Sequence, residues 1–71
     1  NKGRRIILDL MDRKYLDSFP NIDPIEQSQA MMTAIAVSKK ILDDEIKEVL
    51  VDLMENDINM KIRQSARNVL E

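Results

Sequence analysis

Residues 43–54 read DDEIKEVLVDLM, and the spacing of their apolar side chains decides the fold. Five apolar residues occupy positions i, i+3, i+4, i+7 and i+8, which is the pattern of a helix that buries one face. These residues are Ile46, Val49, Leu50, Leu53 and Met54. Asp43 precedes them and can cap the helix, so we predict a helix over residues 44–56.

A second predicted helix has the most specific start signal in the chain. Asp23 is placed as its N-cap, Pro24 fits the first helical position, and Glu26 can complete a capping box. The helix is predicted over residues 24–42. Its middle, residues 30–37, reads AMMTAIAV and is apolar on nearly every side. We therefore expect this helix to be central and buried.

Two further helices are predicted, one at each end of the chain. Pro20 separates the N-terminal one from the helix predicted over residues 24–42. The first helix covers residues 4–17 and places one stripe on Ile6, Ile7, Leu10, Met11 and Tyr15. The last helix covers residues 60–71 and begins after Asn59 as its N-cap. Its stripe is Ile62, Ser65, Ala66, Val69 and Leu70.

These four segments predict an all-α protein. We expect the four helices to form two stacked antiparallel hairpins in a single domain over residues 1–71, either complete or cut from a longer protein. The small size implies a thin core, so a partner chain or a neighbouring segment is expected to cover part of the apolar surface.

The composition excludes several classes of function. The chain of 71 residues has no Cys and no His. Without Cys it has no disulfide and no thiolate metal site. Without His it lacks the side chain that most often acts as acid or base near neutral pH. No apolar run approaches the roughly 18 residues that a membrane helix needs. The absence of Cys is compatible with the intracellular, cytoplasmic location that we expect.

Two segments of the chain resemble one another. Residues 7–12 read ILDLMD and residues 50–55 read LVDLME, an offset of 43 residues. This offset lies near the period of repeats made of paired helices. The matched residues are common types, so a chance likeness is the alternative interpretation.

The last predicted hairpin, residues 43–71, resembles a HEAT repeat. The matching positions are Asp57 in the turn, Ile62 followed by Arg63, and Ala66 and Leu70 on the core side. Residues 4–42 match poorly, because Glu26 and Gln27 stand where that family has a β-branched residue and Arg. The resemblance implies hairpins that stack on one another and a scaffold that binds protein partners.

The charges of the third predicted helix offer a candidate site. Asp44, Glu48, Asp52 and Glu55 recur at four- and three-residue steps and share one helical face. The favoured interpretation is a solvated face, with acids near its start that complement the helix dipole. The functional alternative is a surface that binds a basic protein partner through these four residues. A metal site is the weakest interpretation, because di-iron bundles use Glu-x-x-His motifs and the chain has no His.

The basic residues give two weaker candidates. Lys2, Arg4 and Arg5 could contact nucleic-acid phosphates, although the chain has almost no aromatic residues on which bases could stack. Arg63 and Arg67 lie one turn apart on the last predicted helix. In HEAT repeats the residue that matches Arg63 bonds to an acid of the adjacent repeat. The resemblance thus implies a structural role for Arg63, with phosphate binding as the alternative.

We predict no catalytic, cofactor or metal site. Ser28, Ser38 and Ser65 have no neighbouring base pattern, and a chain whose only glycine is Gly3 has no glycine-rich phosphate loop. We expect a HEAT-like, non-catalytic protein–protein interaction or scaffold module, which binds a protein partner or forms a homodimer. The alternative is a compact four-helix regulatory domain associated with nucleic acid through its basic N-terminus. Stacked hairpins predict an exposed apolar stripe at one end, and a closed bundle predicts none.

Overall fold

The computed structural model describes residues 2–71, excluding the side chain of Lys2, and these residues form an all-helical fold without strands. The five α-helices are α1 (Lys2–Leu10), α2 (Arg13–Asp17), α3 (Pro24–Ser38), α4 (Asp44–Asn56) and α5 (Met60–Leu70). A short 3₁₀ turn, Lys39–Ile41, follows α3. The all-α prediction is confirmed, with five helices in place of four.

The predicted helix over residues 4–17 is wrong in one respect, because the chain breaks at Met11 and Asp12. Asp12 has an extended backbone, with φ −97° and ψ 108°, and its carboxylate accepts a hydrogen bond from the Lys14 amide at 2.9 Å. In one straight helix Met11 and Leu16 would point about 140° apart. The break allows both side chains to enter the core, where each is at most 2% exposed.

Three predicted helix starts, at residues 24, 44 and 60, agree with the structure, whereas α1 begins at Lys2 and not at residue 4. The carboxylate of Asp23 accepts from the Glu26 amide at 2.8 Å, and that of Asp43 accepts from the Ile46 amide at 2.9 Å. The Asn59 side chain caps α5 in the same way. Such side-chain oxygens satisfy amides that have no partner within the first turn of a helix.

One cluster of buried side chains joins all five helices. It consists of Leu8, Met11, Leu16, Met31, Ala34, Ile35, Ile46, Leu50, Leu53, Ile62 and Ala66. The helix α4 packs mainly against α5, and α3 packs against both α1 and α5. The predicted stripe of α4 is confirmed: Ile46, Leu50 and Leu53 are buried, while Val49 and Met54 pack against them.

The burial predicted for two other helices is wrong in part. On α3, Met31, Ala34 and Ile35 are buried, but Ala36 and Val37 are exposed. The Cα atoms span only 15 Å along the shortest axis, which is room for about two layers of helices, so α3 keeps one open side.

On the first predicted helix, Ile6 is 57% exposed, Tyr15 is also exposed, and Leu8 is buried in their place. Leu8 is the buried residue of α1, and Met11, three residues further on at the break, continues the same core-facing side. Large exposed apolar side chains occur on every helix, as the residues Ile6, Tyr15, Ile25, Val37, Val51 and Met60 show.

Candidate partner-binding groove

A groove of about 810 Å³ separates α1 and α2 from α4. Apolar side chains in its lining are Leu8, Met11, Val49, Leu53 and Ile58. Seven carboxylates also line it: Asp9, Asp12, Asp17, Glu45, Glu48, Asp52 and Asp57. Among the described side chains, three cations also line it, Arg5, Arg13 and Lys14. We call this surface the acidic groove.

A partly buried ion pair lines one end of the acidic groove. Arg13 donates from Nε to Asp57 Oδ1 at 2.9 Å and from Nη2 to Asp57 Oδ2 at 2.8 Å. The Asp57 side chain is only 3% exposed and that of Arg13 is 21% exposed. The hydrogen bonds to Asp57 raise the pKa of Arg13, so the guanidinium stays charged. This bidentate geometry is the one that carboxylates and arginines favour.

A chain of hydrogen bonds extends the pair into the rest of the fold. Arg13 Nη1 donates to Gln27 Oε1 at 3.1 Å, and Gln27 Nε2 donates to Asp17 Oδ1 at 2.7 Å. Asp57 also accepts from the Asn59 amide at 3.0 Å. The network therefore fixes α2 against α3 and against the turn between α4 and α5, and the charge of Arg13 compensates that of Asp57.

The other end of the acidic groove lies next to Arg4, which contacts the lining residue Glu45. Its Nε donates to Asp43 Oδ2 at 2.7 Å, and its Nη2 donates to Glu45. The bond from Arg4, together with the Ile46 amide, lowers the pKa of Asp43, and the two carboxylates raise the pKa of Arg4. Arg5 pairs with Asp9 one turn along α1 at 3.3 Å.

The middle of the acidic groove carries uncompensated charge. Within residues 2–71, neither Glu48 nor Asp52 makes an ion pair, and the only side-chain hydrogen bond to either is from Asn56 Nδ2 to Asp52 Oδ1 at 2.9 Å. Both side chains are exposed. Their charges add to the negative potential of the groove, which attracts cations from solution.

The predicted acidic face is divided by the structure. Glu48 and Asp52 line the groove, whereas Asp44 and Glu55 are exposed outside it. Spacing alone places all four on one helix, and the packing of α1 and α2 decides which of them border a cavity. Asp9 was not among the predicted site residues, although the likeness between residues 7–12 and 50–55 pairs it with Asp52.

Most of the other predicted candidates have local roles, but Arg63 forms no ion pair within residues 2–71, against the structural role that the HEAT resemblance implies. Arg4 and Arg5 are both ion-paired, and the prediction for Lys2 concerns a side chain outside the described part of the chain. The Ser28 hydroxyl accepts from Asn59, and the Ser38 hydroxyl donates to the Ile35 carbonyl. No group of three or more carboxylates within residues 2–71 is arranged to hold a metal ion.

In the same range, none of the helices has the length and apolar character required to cross a membrane. Comparison of the chain with protein-family models, with curated proteins and with solved structures finds no match.

Proposed function

We propose that this protein is a non-catalytic interaction module that binds a basic, amphipathic helical segment of a partner protein in the acidic groove. The observation that carries the proposal is the pair Glu48 and Asp52, which lacks a cationic partner beside an apolar groove floor. The two acids are one helical turn apart, so cations one turn apart on a partner helix match their spacing.

The apolar lining adds a reason to prefer a protein segment over small cations. Ile58 is 82% exposed at the groove, and Val49 is only partly buried. Covering these side chains with an apolar residue of the partner removes their surface from water, which contributes affinity that charge alone does not. Charge then sets the rate of encounter and the choice of partner.

The proposal also includes the arrangement as two stacked hairpins with HEAT-like character. The packing of α1 against α3, of α4 against α5, and of α3 against α5 supports this arrangement. In such a module each hairpin contributes one wall of a groove, which suits the position of the acidic groove between α1–α2 and α4.

The nucleic-acid alternative has no observation in its favour. Arg4 and Arg5 are engaged by Asp43, Glu45 and Asp9, so their charge is largely compensated within the chain. Self-association to a homodimer is the other interaction that the sequence allows. Sedimentation equilibrium of the chain over a wide concentration range distinguishes a homodimer from a monomer that needs a different partner.

The decisive experiment compares two pairs of substitutions that change the charge equally. The probe is a labelled amphipathic helical peptide of Lys and Leu, with binding followed by fluorescence anisotropy at low and at moderate salt. Glu48→Gln with Asp52→Asn should weaken binding about tenfold, since two ion pairs of about 0.5–1 kcal/mol each are lost.

The matched control is Asp44→Asn with Glu55→Gln, which alters α4 outside the groove. It should change the Kd by less than about twofold, because charges at the surface are screened at moderate salt. Equal weakening by both pairs would mean diffuse attraction to a solvated acidic face, which contradicts docking in the groove. A peptide with Gln in place of Lys should bind much more weakly than the basic peptide.

A further inference from the structure

A second pocket, of about 550 Å³, lies between the end of α4 and α5. Its lining consists of Met54, Met60, Arg63, Gln64 and Arg67. Of the residues that the structure describes, no carboxylate lines this surface, although the chain has 13 acidic and 11 basic residues. The sign of its charge is therefore opposite to that of the acidic groove. We call it the arginine pocket.

Arg63 has hydrogen-bonding capacity that the fold does not use. Its Nε–H is buried, and no atom of residues 2–71 accepts a hydrogen bond from it. Buried donors in folded proteins nearly always have a partner, because an unpaired donor has lost its water without replacement. A guanidinium presents its donors as a planar fork that fits a carboxylate.

The neighbouring polar groups are free to adapt. Arg67 Nε pairs with Glu71 Oε1 at 3.1 Å, and both side chains are well exposed. Such an exposed pair one turn apart is weak and exchanges readily for another carboxylate. Gln64 bonds to Asn68 on the outer side of α5 at 2.9 Å.

The apolar side of the pocket points to a protein ligand. Met60 is 75% exposed and Met54 is partly buried. Methionine side chains adapt to the shape of an apolar residue that packs on them. Nucleic acid fits poorly, because binding its backbone needs many cations and its bases need aromatic side chains, and the pocket offers two arginines and no ring.

We propose that the arginine pocket binds an acidic segment of a partner protein, with a carboxylate on Arg63 and an adjoining apolar side chain on Met54 and Met60. This site is separate from the acidic groove, so one module can hold segments of opposite charge. The occupant is a helical or extended segment with Glu or Asp beside Leu or a similar residue.

The test uses the whole chain labelled with ¹⁵N and a helical peptide of Glu and Leu as the probe. The Arg63 Nε–H signal and the amide signals of Met54, Met60 and Gln64 should shift together, with one Kd. Arg63→Gln should weaken the peptide about tenfold or more, the effect of losing a charge-assisted hydrogen bond.

Lys61→Gln is the matched control, because it removes an exposed cation of α5 that does not line the pocket. It should leave the Kd within about twofold, since exposed charges are screened by salt. If Arg63→Gln fails to fold by circular dichroism, Arg67→Gln is measured in its place and should weaken the peptide by a smaller factor. Equal losses for the Lys61 and arginine variants would overturn the proposal.

Three further outcomes would also overturn it. Sodium acetate could produce the same shifts with no gain in affinity for the peptide, which would mean that the pocket takes an adventitious ion only. A DNA duplex could displace the peptide from the pocket, or the peptide could shift the signals of the acidic groove. Failure of the arginine-pocket proposal can be distinguished from failure of the acidic-groove proposal. The variant Glu48→Gln with Asp52→Asn alters only the groove, so it should leave the Kd of the acidic peptide unchanged.

Discussion

The α4–α5 pair and the α1–α2 segment are held in the molecule by different forces. In α4 and α5, the side chains of Ile46, Leu50, Ile62 and Ala66 are completely buried, and the two helices pack closely on one another. Burial of large apolar side chains is the main favourable contribution to folding. This pair is therefore the part of the molecule with the strongest apolar packing.

The α1–α2 segment, residues 2–17, buries fewer apolar side chains. They are Leu8 of α1, Met11 at the break and Leu16 of α2, against five in α4 and α5. Two arginines connect the segment to the ends of α4, Arg4 at Asp43 and Arg13 at Asp57. Elements with few buried apolar contacts open at lower free energy than the core. The acidic groove thus lies between a strongly packed wall and a weakly packed one.

The largest effect on this difference should come from Leu50→Ala. Leu50 is fully buried, so its truncation should cost about 2–5 kcal/mol of unfolding free energy. A domain of this size has little more than that in total, so the variant should be largely unfolded by circular dichroism. Val51→Ala on the same helix is the control and should lose much less, because Val51 is exposed. Equal losses would contradict the assigned core.

The second effect concerns the ion pair at the weakly packed wall. Arg13→Gln leaves the buried Asp57 carboxylate without its cation, and we expect a loss of about 1–3 kcal/mol, reduced by the partial exposure of Arg13. Arg5→Gln removes an exposed cation of α1 and should be nearly neutral. Denaturant unfolding measures both.

A double-substitution cycle separates the ion pair from other effects of the change. Arg13→Gln with Asp57→Asn should lose less stability than the sum of the single variants, because neither charge is then left alone. Strict additivity would show that the two residues act independently, against the bidentate geometry.

The same difference explains how far the sequence could predict the structure. Along α4, apolar residues recur at every third or fourth position and form one stripe. Asp43 and Asn59 mark the starts of α4 and α5. The bounds of α4 and the burial of its side chains could therefore be predicted together. In residues 4–17 the pattern also fits a continuous helix. Whether Asp12 continues that helix or caps a new one depends on packing of Met11 and Leu16 in the tertiary fold.

The candidate site was predictable only where its residues share one helix. The spacing of Glu48 and Asp52 was sufficient to place them on a common exposed face. The pair of Arg13 and Asp57 joins residues 44 positions apart, and no local pattern in the chain reports such a contact. The division of the acidic face by the groove depends on the same long-range packing.

A smaller effect is expected from Asp12→Ala at the start of α2. Loss of an N-cap costs about 1 kcal/mol, and the loss should be local because α2 is short. Tyr15 lies on α2 and is the only Tyr in a chain without Trp, so its fluorescence reports this helix directly. In Asp12→Ala, the Tyr15 fluorescence should change at a lower denaturant concentration than the circular dichroism of the whole chain. Coincident transitions would show that α2 unfolds with the core.

The smallest effect is a dependence of stability on pH at the Arg4 end of the groove. The pKa of Asp43 is lowered from 3.8, first by Arg4 and then by the Ile46 amide. A carboxyl whose pKa is lower in the folded state stabilises the fold above its unfolded pKa. That contribution is present above pH 3.8 and disappears as the pH falls through the lowered value. Below that value Asp43 no longer favours folding.

The measurement compares the free energy of unfolding of the wild type and of Asp43→Asn between pH 7 and acid. The pKa of Asp23 is also lowered, by its bond from the Glu26 amide, so both proteins lose stability in acid and only their difference isolates Asp43. The difference should be constant above the usual pKa of aspartate and should shrink below it. A difference that grows in acid would mean that Arg4 does not stabilise the charged carboxylate, and the Arg4 end of the groove would then be held by packing alone.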